Sequence, residues 1–148
     1  MQPSLVNRKA RFDYQILETF EVGIELVGTE VKSVRAGKIS LRDAFARIRR
    51  GEVYLYGAEI SPYENAGYAR HDPTRPRRLL MHGREIGRLV GKVSERGLTL
   101  IPLKVYFKRG WAKVQLGLAK ARKKYDKRET LRKKEEQKDI ARALARRR

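Results

Sequence analysis

The chain's 148 residues predict a mainly β fold: a small antiparallel barrel of the OB type, with about six short strands, two or three short helices and a basic C-terminal tail. Three observations predict it. Period-two segments recur, and two pairs of them are split by Arg-Gly steps, Arg50-Gly51 and Arg109-Gly110, as hairpins are. Only one stretch of the body carries a strong helical period. The regular alternation of strands and long helices that a parallel sheet needs is missing. A hydrophobic content of 41% suffices for one modest core, so residues 1–118 are expected to form the body and 119–148 an appended tail.

The elements follow in order. After a short basic lead, Asn7 to Arg11, the alternation of Tyr14, Ile16, Val22, Ile24 and Leu26 makes Phe12 to Val27 a strand. Thr29 opens a helix of barely two turns, with Val31 and Val34 three apart and Gly37 closing it. Asp43 to Arg50 and Glu52 to Glu59 form the first hairpin, with Val53 and Leu55 on one face and Tyr54 and Tyr56 on the other. From Ile60 to Arg78 the chain is rich in Pro, Gly and Arg, and a loop is expected. Ile86, Leu89, Val90 and Val93 mark a helix from His82 to Arg96, ended by Gly97. Gly87 and Gly91 on that helix suggest close packing against a sheet. Leu98 to Lys108 and Trp111 to Lys120 are the second hairpin, with Pro102 at an edge or bulge.

The tail, Ala119 to Arg148, holds fourteen Lys and Arg against five acids, a net charge of +9 within the +19 of the whole chain. Its thin stripe of Leu131, Ile140 and Leu144 cannot build a core, and its cations repel one another. Disorder until bound, and a helix once phosphate neutralises the charge, are expected. Both body and tail should attract a polyanion with strong salt dependence. Nucleic acid fits better than membrane, because the tail lacks the apolar face of a surface helix. No apolar run approaches a membrane span or a signal-peptide core, so a soluble, cytoplasmic protein is expected.

Cysteine is absent, which excludes disulfides, thiolate metal sites and cysteine nucleophiles; His71 and His82 are too few for a histidine-rich zinc site. Neither Gly37-Lys38 nor Gly91-Lys92 has the glycine spacing of a phosphate-binding loop. Asp13, Glu18, Glu21, Glu25 and Glu30 are dense enough either to converge on Mg²⁺ as a nuclease or to serve as solvated partners of Arg and Lys. No catalytic constellation, metal site or cofactor is expected, and the chain reads as a binding protein. Arg70, Arg75, Arg77 and Arg78 flank Pro73 and Pro76, where guanidinium forks could meet phosphates or merely solubilise a loop. Tyr54, Tyr56, Tyr106, Phe107 and Trp111 lie on or beside strands, where aromatics stack bases or fill a core. On this reading alone, a general single-strand binder of the OB type and a Mg²⁺-dependent nuclease remain the alternatives.

Three runs carry a more specific signal: FEVGIELVGTEVKSVRAGK (Phe20 to Lys38), HDPTRPRRLLMH (His71 to His82) and GLTLIPLKVYFKRGWAKVQLGLAKARKKYDKRE (Gly97 to Glu129). In this order they resemble the SmpB family of SsrA-binding proteins. The resemblance implies a non-enzymatic, OB-type partner of transfer-messenger RNA (tmRNA). Such proteins bind the RNA's tRNA-like domain and deliver it, alanine-charged and with elongation factor Tu, to stalled ribosomes for trans-translation. It implies RNA-binding positions at Glu21, Leu80 and Lys113, with Gly23, Glu30, Lys32, Ser33 and Arg35 in the adjoining signature. Lys32, Arg35 and Lys113 would neutralise phosphate, whereas Glu21 and Glu30 would accept hydrogen bonds from bases or ribose, or orient an arginine. Tyr125, Asp126, Lys127 and Arg128 match the family's decoding-centre motif, and Lys133, Lys134, Lys138 and Arg142 would follow the wall of the empty messenger channel in the small subunit. The family often has His where this chain has Phe12, which can stack but not donate a hydrogen bond, and a common Leu is Met81 here.

Overall fold

The computed structural model describes residues 5–62 and 72–122. In chain order the elements are β1 (Leu5–Val6), α1 (Arg8–Asp13), β2 (Tyr14–Ile24), α2 (Gly28–Arg35), β3 (Ile39–Ser40), β4 (Phe45–Arg49), β5 (Glu52–Tyr56), β6 (Glu59–Ile60), β7 (Arg77–Leu80), α3 (Gly83–Arg96), β8 (Thr99–Lys108) and β9 (Trp111–Ala121).

Six strands hydrogen-bond in the order β8, β4, β5, β7, β2, β9, and β9 pairs again with β8, so the antiparallel sheet closes on itself. A sheet closed this way is a small barrel, as expected. β1 adds to the outside of β8, and β3 and β6 form a separate two-stranded ribbon. Both hairpin turns are two residues long with positive φ throughout: 51° and 77° at Arg50-Gly51, 53° and 80° at Arg109-Gly110. That is the turn whose twist matches the strands it joins, and it locks the register of both hairpins. The β8–β9 register shifts once, between Pro102 and Lys104, where the proline has no N–H to give.

Inside the ring, Val22, Val53, Leu55, Leu79, Leu100, Val105, Val114 and Leu116 are fully or almost fully buried. α3 lays Ile86 and Leu89 on this core, while Glu18 on β2 accepts hydrogen bonds from Arg88 and from Lys92, the latter at 2.6 Å. Burying a leucine such as Leu89 stabilises the fold by about 1.5–3 kcal/mol. A second small cluster of Ala10, Ile101, Leu103 and Ala119 lies beneath α1, which explains why β8 is buried on both faces over part of its length.

Several expectations need correction. Phe12 and Asp13 belong to a helix, and the strand begins at Tyr14. The cause is Asn7, whose Oδ1 accepts the Ala10 N–H at 3.3 Å while Nδ2 donates to the carbonyls of Leu41 and Pro102 at 3.0 and 2.9 Å. The cap starts a turn that buries Ala10. The loop expected over Ile60 to Arg78 gives way to strand at both ends: Glu59–Ile60 pairs with Ile39–Ser40, and Arg77–Leu80 fills the gap between β5 and β2. An inward-facing arginine at Arg77 hid that strand's alternation. On α3, Val90 remains 42% exposed, outside the buried stripe. A side chain at Gly87 or Gly91 would meet open space, so neither glycine serves close packing. β9 continues through Ala121, and the Arg122 N–H donates to the Asp13 carbonyl at 2.9 Å. Among the described residues no helix is long and apolar enough to cross a membrane.

Candidate nucleic-acid interface

Strand register builds the site. Gly23 on β2 pairs with Leu80 on β7 to one side and with Lys113 on β9 to the other, and Lys113 pairs onward with Tyr106 on β8. These four residues form one row across four strands. Cross-strand partners project to the same face, so Leu80, Lys113 and Tyr106 share the outer surface. Gly23 leaves the room the row needs: a Cβ there would lie 3.2 Å from Leu80 Cβ, and Leu80, 47% exposed, fills that space instead.

Glu21 lies two residues before Gly23 and therefore on the same face. Tyr106 donates its phenolic hydrogen to Glu21 Oε2, and Lys108 Nζ donates to Oε1 at 3.2 Å. The Tyr106 bond, then that of Lys108 and the nearby charge of Lys113, hold the Glu21 carboxyl below the usual carboxylate range. Burial and the carboxylate beside it push the Tyr106 phenol up to about 12, so it remains a donor at any physiological pH. Glu21 is thus an ionised acceptor held in place by its neighbours. With Lys108, Arg109, Trp111 and Lys113 it lines a shallow groove of about 380 Å³. Trp111 is 73% exposed at the groove's edge. Cationic side chains, a flat aromatic surface and one oriented acceptor suit phosphate, base and ribose in turn.

The other candidates separate into surface and support. Lys32 and Arg35 on α2 are exposed, with the Arg35 guanidinium 5.1 Å from the centre of the Phe107 ring. Glu30, Ser33 and Arg77 are fully buried and offer no atom to a partner from where they stand. Glu30 reaches back to the Val27 N–H at 2.9 Å, the acid half of a capping box. It also receives Arg75 Nη2 at 2.5 Å and Arg77 Nε at 2.7 Å. Arg77 continues inward to the carbonyls of Ala58 at 3.0 Å and Pro73 at 3.2 Å. Burial pushes the Glu30 carboxyl up, but the bonds from Arg75, Val27 and Arg77 outweigh it and leave it below the usual range. The expected cluster of phosphate forks is therefore divided. Arg75 and Arg77 hold the segment after Asp72 onto α2, and Arg78 points outward to Glu52 at 3.1 Å and Glu25 at 3.9 Å. Turning Arg77 outward would leave charge uncompensated in the interior, which is costly.

The acids weighed as a nuclease site are dispersed. Glu18, Glu21, Glu25 and Glu30 each answer a different set of cations, and among the described residues no three His, Asp or Glu gather where a metal ion could sit. Arg70, His71 and all the tail positions, Tyr125, Asp126, Lys127, Arg128, Lys133, Lys134, Lys138 and Arg142, lie outside the described residues. Sequence reasoning named Trp111 only as one aromatic among several, and missed Tyr106 and Lys108 as the partners of Glu21. The signal was present in the two-residue turn at Arg109-Gly110, which sets Lys108 opposite Trp111 and Tyr106 opposite Lys113.

A closed antiparallel barrel bearing a cationic, aromatic groove around an oriented carboxylate defines a small β-barrel protein of the RNA-binding class. The family model described as SmpB protein matches residues 4–146, and the chain belongs to that family. It is 60% identical to an SsrA-binding protein of Synechococcus elongatus over 141 residues, 95% of this chain and 92% of the relative. An SsrA-binding protein of Shouchella clausii is 56% identical over 138 residues, 93% of this chain and 88% of the relative. A solved chain from work described as "tmRNA-SmpB: a journey to the center of the bacterial ribosome" superposes with a TM-score of 0.70 at 54% identity, covering 88% of this chain and 95% of that one.

Proposed function

We propose that this protein binds the tRNA-like domain of tmRNA and brings it to stalled ribosomes for trans-translation. The observation that carries the reading is the row Leu80, Gly23, Lys113 with Glu21 beside it: the positions the family resemblance assigns to RNA come from three separate strands and meet on one outer face. Lys113 neutralises a phosphate, Glu21 accepts from a base amino group or a ribose 2′-OH, and Leu80 packs against an exposed base or sugar. Lys32 and Arg35 belong to the adjoining surface, with buried Glu30, Ser33 and Arg77 beneath it. The barrel acts as an adaptor without catalysis, and the alanine-charged RNA travels with elongation factor Tu. The tail, through Tyr125, Asp126, Lys127, Arg128 and the cations that follow, enters the empty messenger channel next to the decoding centre, where its net charge of +9 suits ribosomal RNA.

Competition and truncation test this together. At physiological salt a folded tRNA-like RNA should bind far better than an unstructured RNA of equal length; equal competition would reduce the chain to a general single-strand binder. Truncation after Arg122, which keeps β9 and its bond to Asp13, should leave RNA binding nearly intact and abolish peptide tagging on stalled ribosomes. Loss of both activities together would remove the separate role of the tail.

A further inference from the structure

The ring of strands has one narrow seam. β4 pairs with β5 through five residues, but with β8 through Ala46 and Leu100 alone. Beyond that pair the two strands part, because the chain before Thr99 turns away at Gly97 into α3. The gap is a cavity of about 390 Å³ between Ile48 of β4 and Leu98, with Val90, Val93 and Ser94 of α3 on its third side. Its lining is largely apolar: Ala46, Leu98 and Leu100 are buried, and Val90 is left 42% exposed. Gly87, one turn before Val90 on the same flank of α3, has nothing within 4 Å of where a Cβ would stand, so no side chain closes that flank.

Backbone groups face this gap as well. In a hairpin closed by the two-residue Arg50-Gly51 turn, the flanking Arg49 and Glu52 exchange both backbone hydrogen bonds, and so does every second pair after them. The N–H and C=O groups of Arg49, Arg47 and Phe45 are therefore directed to β5, whereas those of Ile48 and Ala46 point toward β8. Ala46 meets Leu100 there. Ile48 has no such partner among the described residues, since neither a strand pair nor a separate backbone bond joins it to Leu98. A donor and an acceptor on an unpaired strand edge are a template for another strand.

Side chains select the kind of strand that fits. In an antiparallel pair the residue opposite Ile48 projects to the same face as Ile48, into the apolar cavity, and its neighbours project outward with Arg47 and Arg49. Both arginines are exposed, and among the described residues neither has a carboxylate within salt-bridge distance. The complement is an apolar side chain between acidic ones. The chain's own tail, with a net charge of +9, and a second copy, at +19, carry the wrong sign. An RNA strand has the right sign, but it brings no peptide amide for Ile48 and no alkyl side chain for the cavity.

We propose that the seam between β4 and β8 binds a short extended segment of an acidic protein partner by strand addition. The segment pairs antiparallel with Ile48, sets an apolar side chain between Val90, Val93 and Leu98, and presents acidic residues to Arg47 and Arg49. Ala46 and Leu100 close the inner end, so only a few residues are held. The seam shares no residue with the groove around Glu21 and Lys113, and it stands or falls apart from the tmRNA reading.

The test uses the full chain and a synthetic peptide, acetyl-ETEIETE-amide, whose single isoleucine fixes the register. Methylating the isoleucine amide removes the hydrogen that the Ile48 carbonyl accepts, leaves charge and side chains unchanged, and should weaken binding about tenfold. Methylating the amide of the glutamate that follows, which points to the other edge of the peptide, should change binding less than about twofold. By NMR, the Ile48 amide of the free chain should exchange with solvent faster than those of Arg47 and Arg49, and should slow at least about tenfold with peptide bound. Val90→Glu puts a like charge at the mouth and should weaken the peptide about tenfold, while the thermal unfolding and folded-RNA binding of the variant stay as in the parent. Arg47→Gln/Arg49→Gln should weaken the peptide about threefold. Equal binding of the isoleucine-methylated peptide would reduce the effect to attraction between a cationic protein and any acidic chain, and would overturn the proposal. So would an Ile48 amide as protected in the free chain as its neighbours, unchanged affinity in Val90→Glu, or displacement of the peptide by a short oligouridylate of equal charge. Variants at Glu21 and Lys113 should leave peptide binding unaltered, whatever they do to the folded RNA.

Discussion

Arg77 on β7 and Glu30 on α2 form a fully buried ion pair, both side chains at 0% exposure and joined at 2.7 Å, across 47 positions of sequence. The pair ties the signature helix to the barrel and, through Arg75 and the carbonyls of Asp72 and Pro73, fastens the segment that leads into β7. The outward row at Gly23 rests on this internal brace, because Leu80 of the same strand is a member of that row.

Removing the carboxylate charge should therefore be costly. Glu30→Gln leaves Arg77 buried without a counter-charge, and urea unfolding should show a loss of about 3–5 kcal/mol. Glu30→Leu/Arg77→Met should lose clearly less than the two single changes added, because the double variant leaves no buried charge unpaired. An additive result would mean the pair does not act as a unit.

The same carboxylate makes stability depend on acid. Its folded pKa is lowered, so the contribution is complete above the unfolded value of about 4.3 and disappears as pH falls through the lower folded value. Unfolding curves between pH 5 and pH 2, points set by that window, should fall more steeply for the parent than for Glu30→Gln. Parallel curves would assign the acid sensitivity elsewhere.

Gly23 and Leu80 should separate affinity from stability. Gly23→Ala places a Cβ 3.2 Å from that of Leu80 and forces the leucine aside, at a cost to the fold of about 1–3 kcal/mol. Leu80→Ala, at a half-exposed position, should cost less than about 1 kcal/mol. Both should weaken binding of a tRNA-like RNA, and a Leu80→Ala variant that binds normally would remove this residue from the interface.

Tyr106→Phe removes the principal bond holding the Glu21 carboxyl low. An NMR titration of the Glu21 side chain should show its pKa moving upward toward the ordinary carboxylate range, with the parent lower. RNA affinity should drop as well, because the acceptor is no longer held in place. An unchanged titration would mean Lys108 alone orients Glu21.

Lys113→Gln should weaken RNA binding and reduce the salt slope by about one, as expected when a single phosphate is no longer neutralised. Weaker binding with an unchanged slope would mean that Lys113 reads a base instead.

Local patterns carry their own physics, and that part of the protein is legible in the sequence. Arg50-Gly51 and Arg109-Gly110 are two-residue turns between alternating strands, so they announce both hairpins and their registers. Ile86 and Leu89, three apart, announce the face that α3 buries, and Gly97, at φ 62°, ends the helix. The net charge of +19 announces a polyanionic partner whatever the fold. The start of β2 was less legible, because the capping role of Asn7 depends on carbonyls of Leu41 and Pro102 far along the chain.

Arginine and glutamate look like surface residues until a partner is known, and at this chain's most informative positions only the tertiary structure supplies the partner. Closure of the ring turned Arg77 inward, where Glu30 and the carbonyls of Ala58 and Pro73 satisfy its guanidinium. The same closure brought Glu21, Leu80 and Lys113, distant in sequence, onto adjacent strands of one face. By itself the sequence determined which segments alternate, where they turn and how much positive charge they carry, since these depend on neighbours a few residues away. Which charged side chains brace the interior and which face a partner depends on packing that exists only when the barrel closes, and that the fold decided.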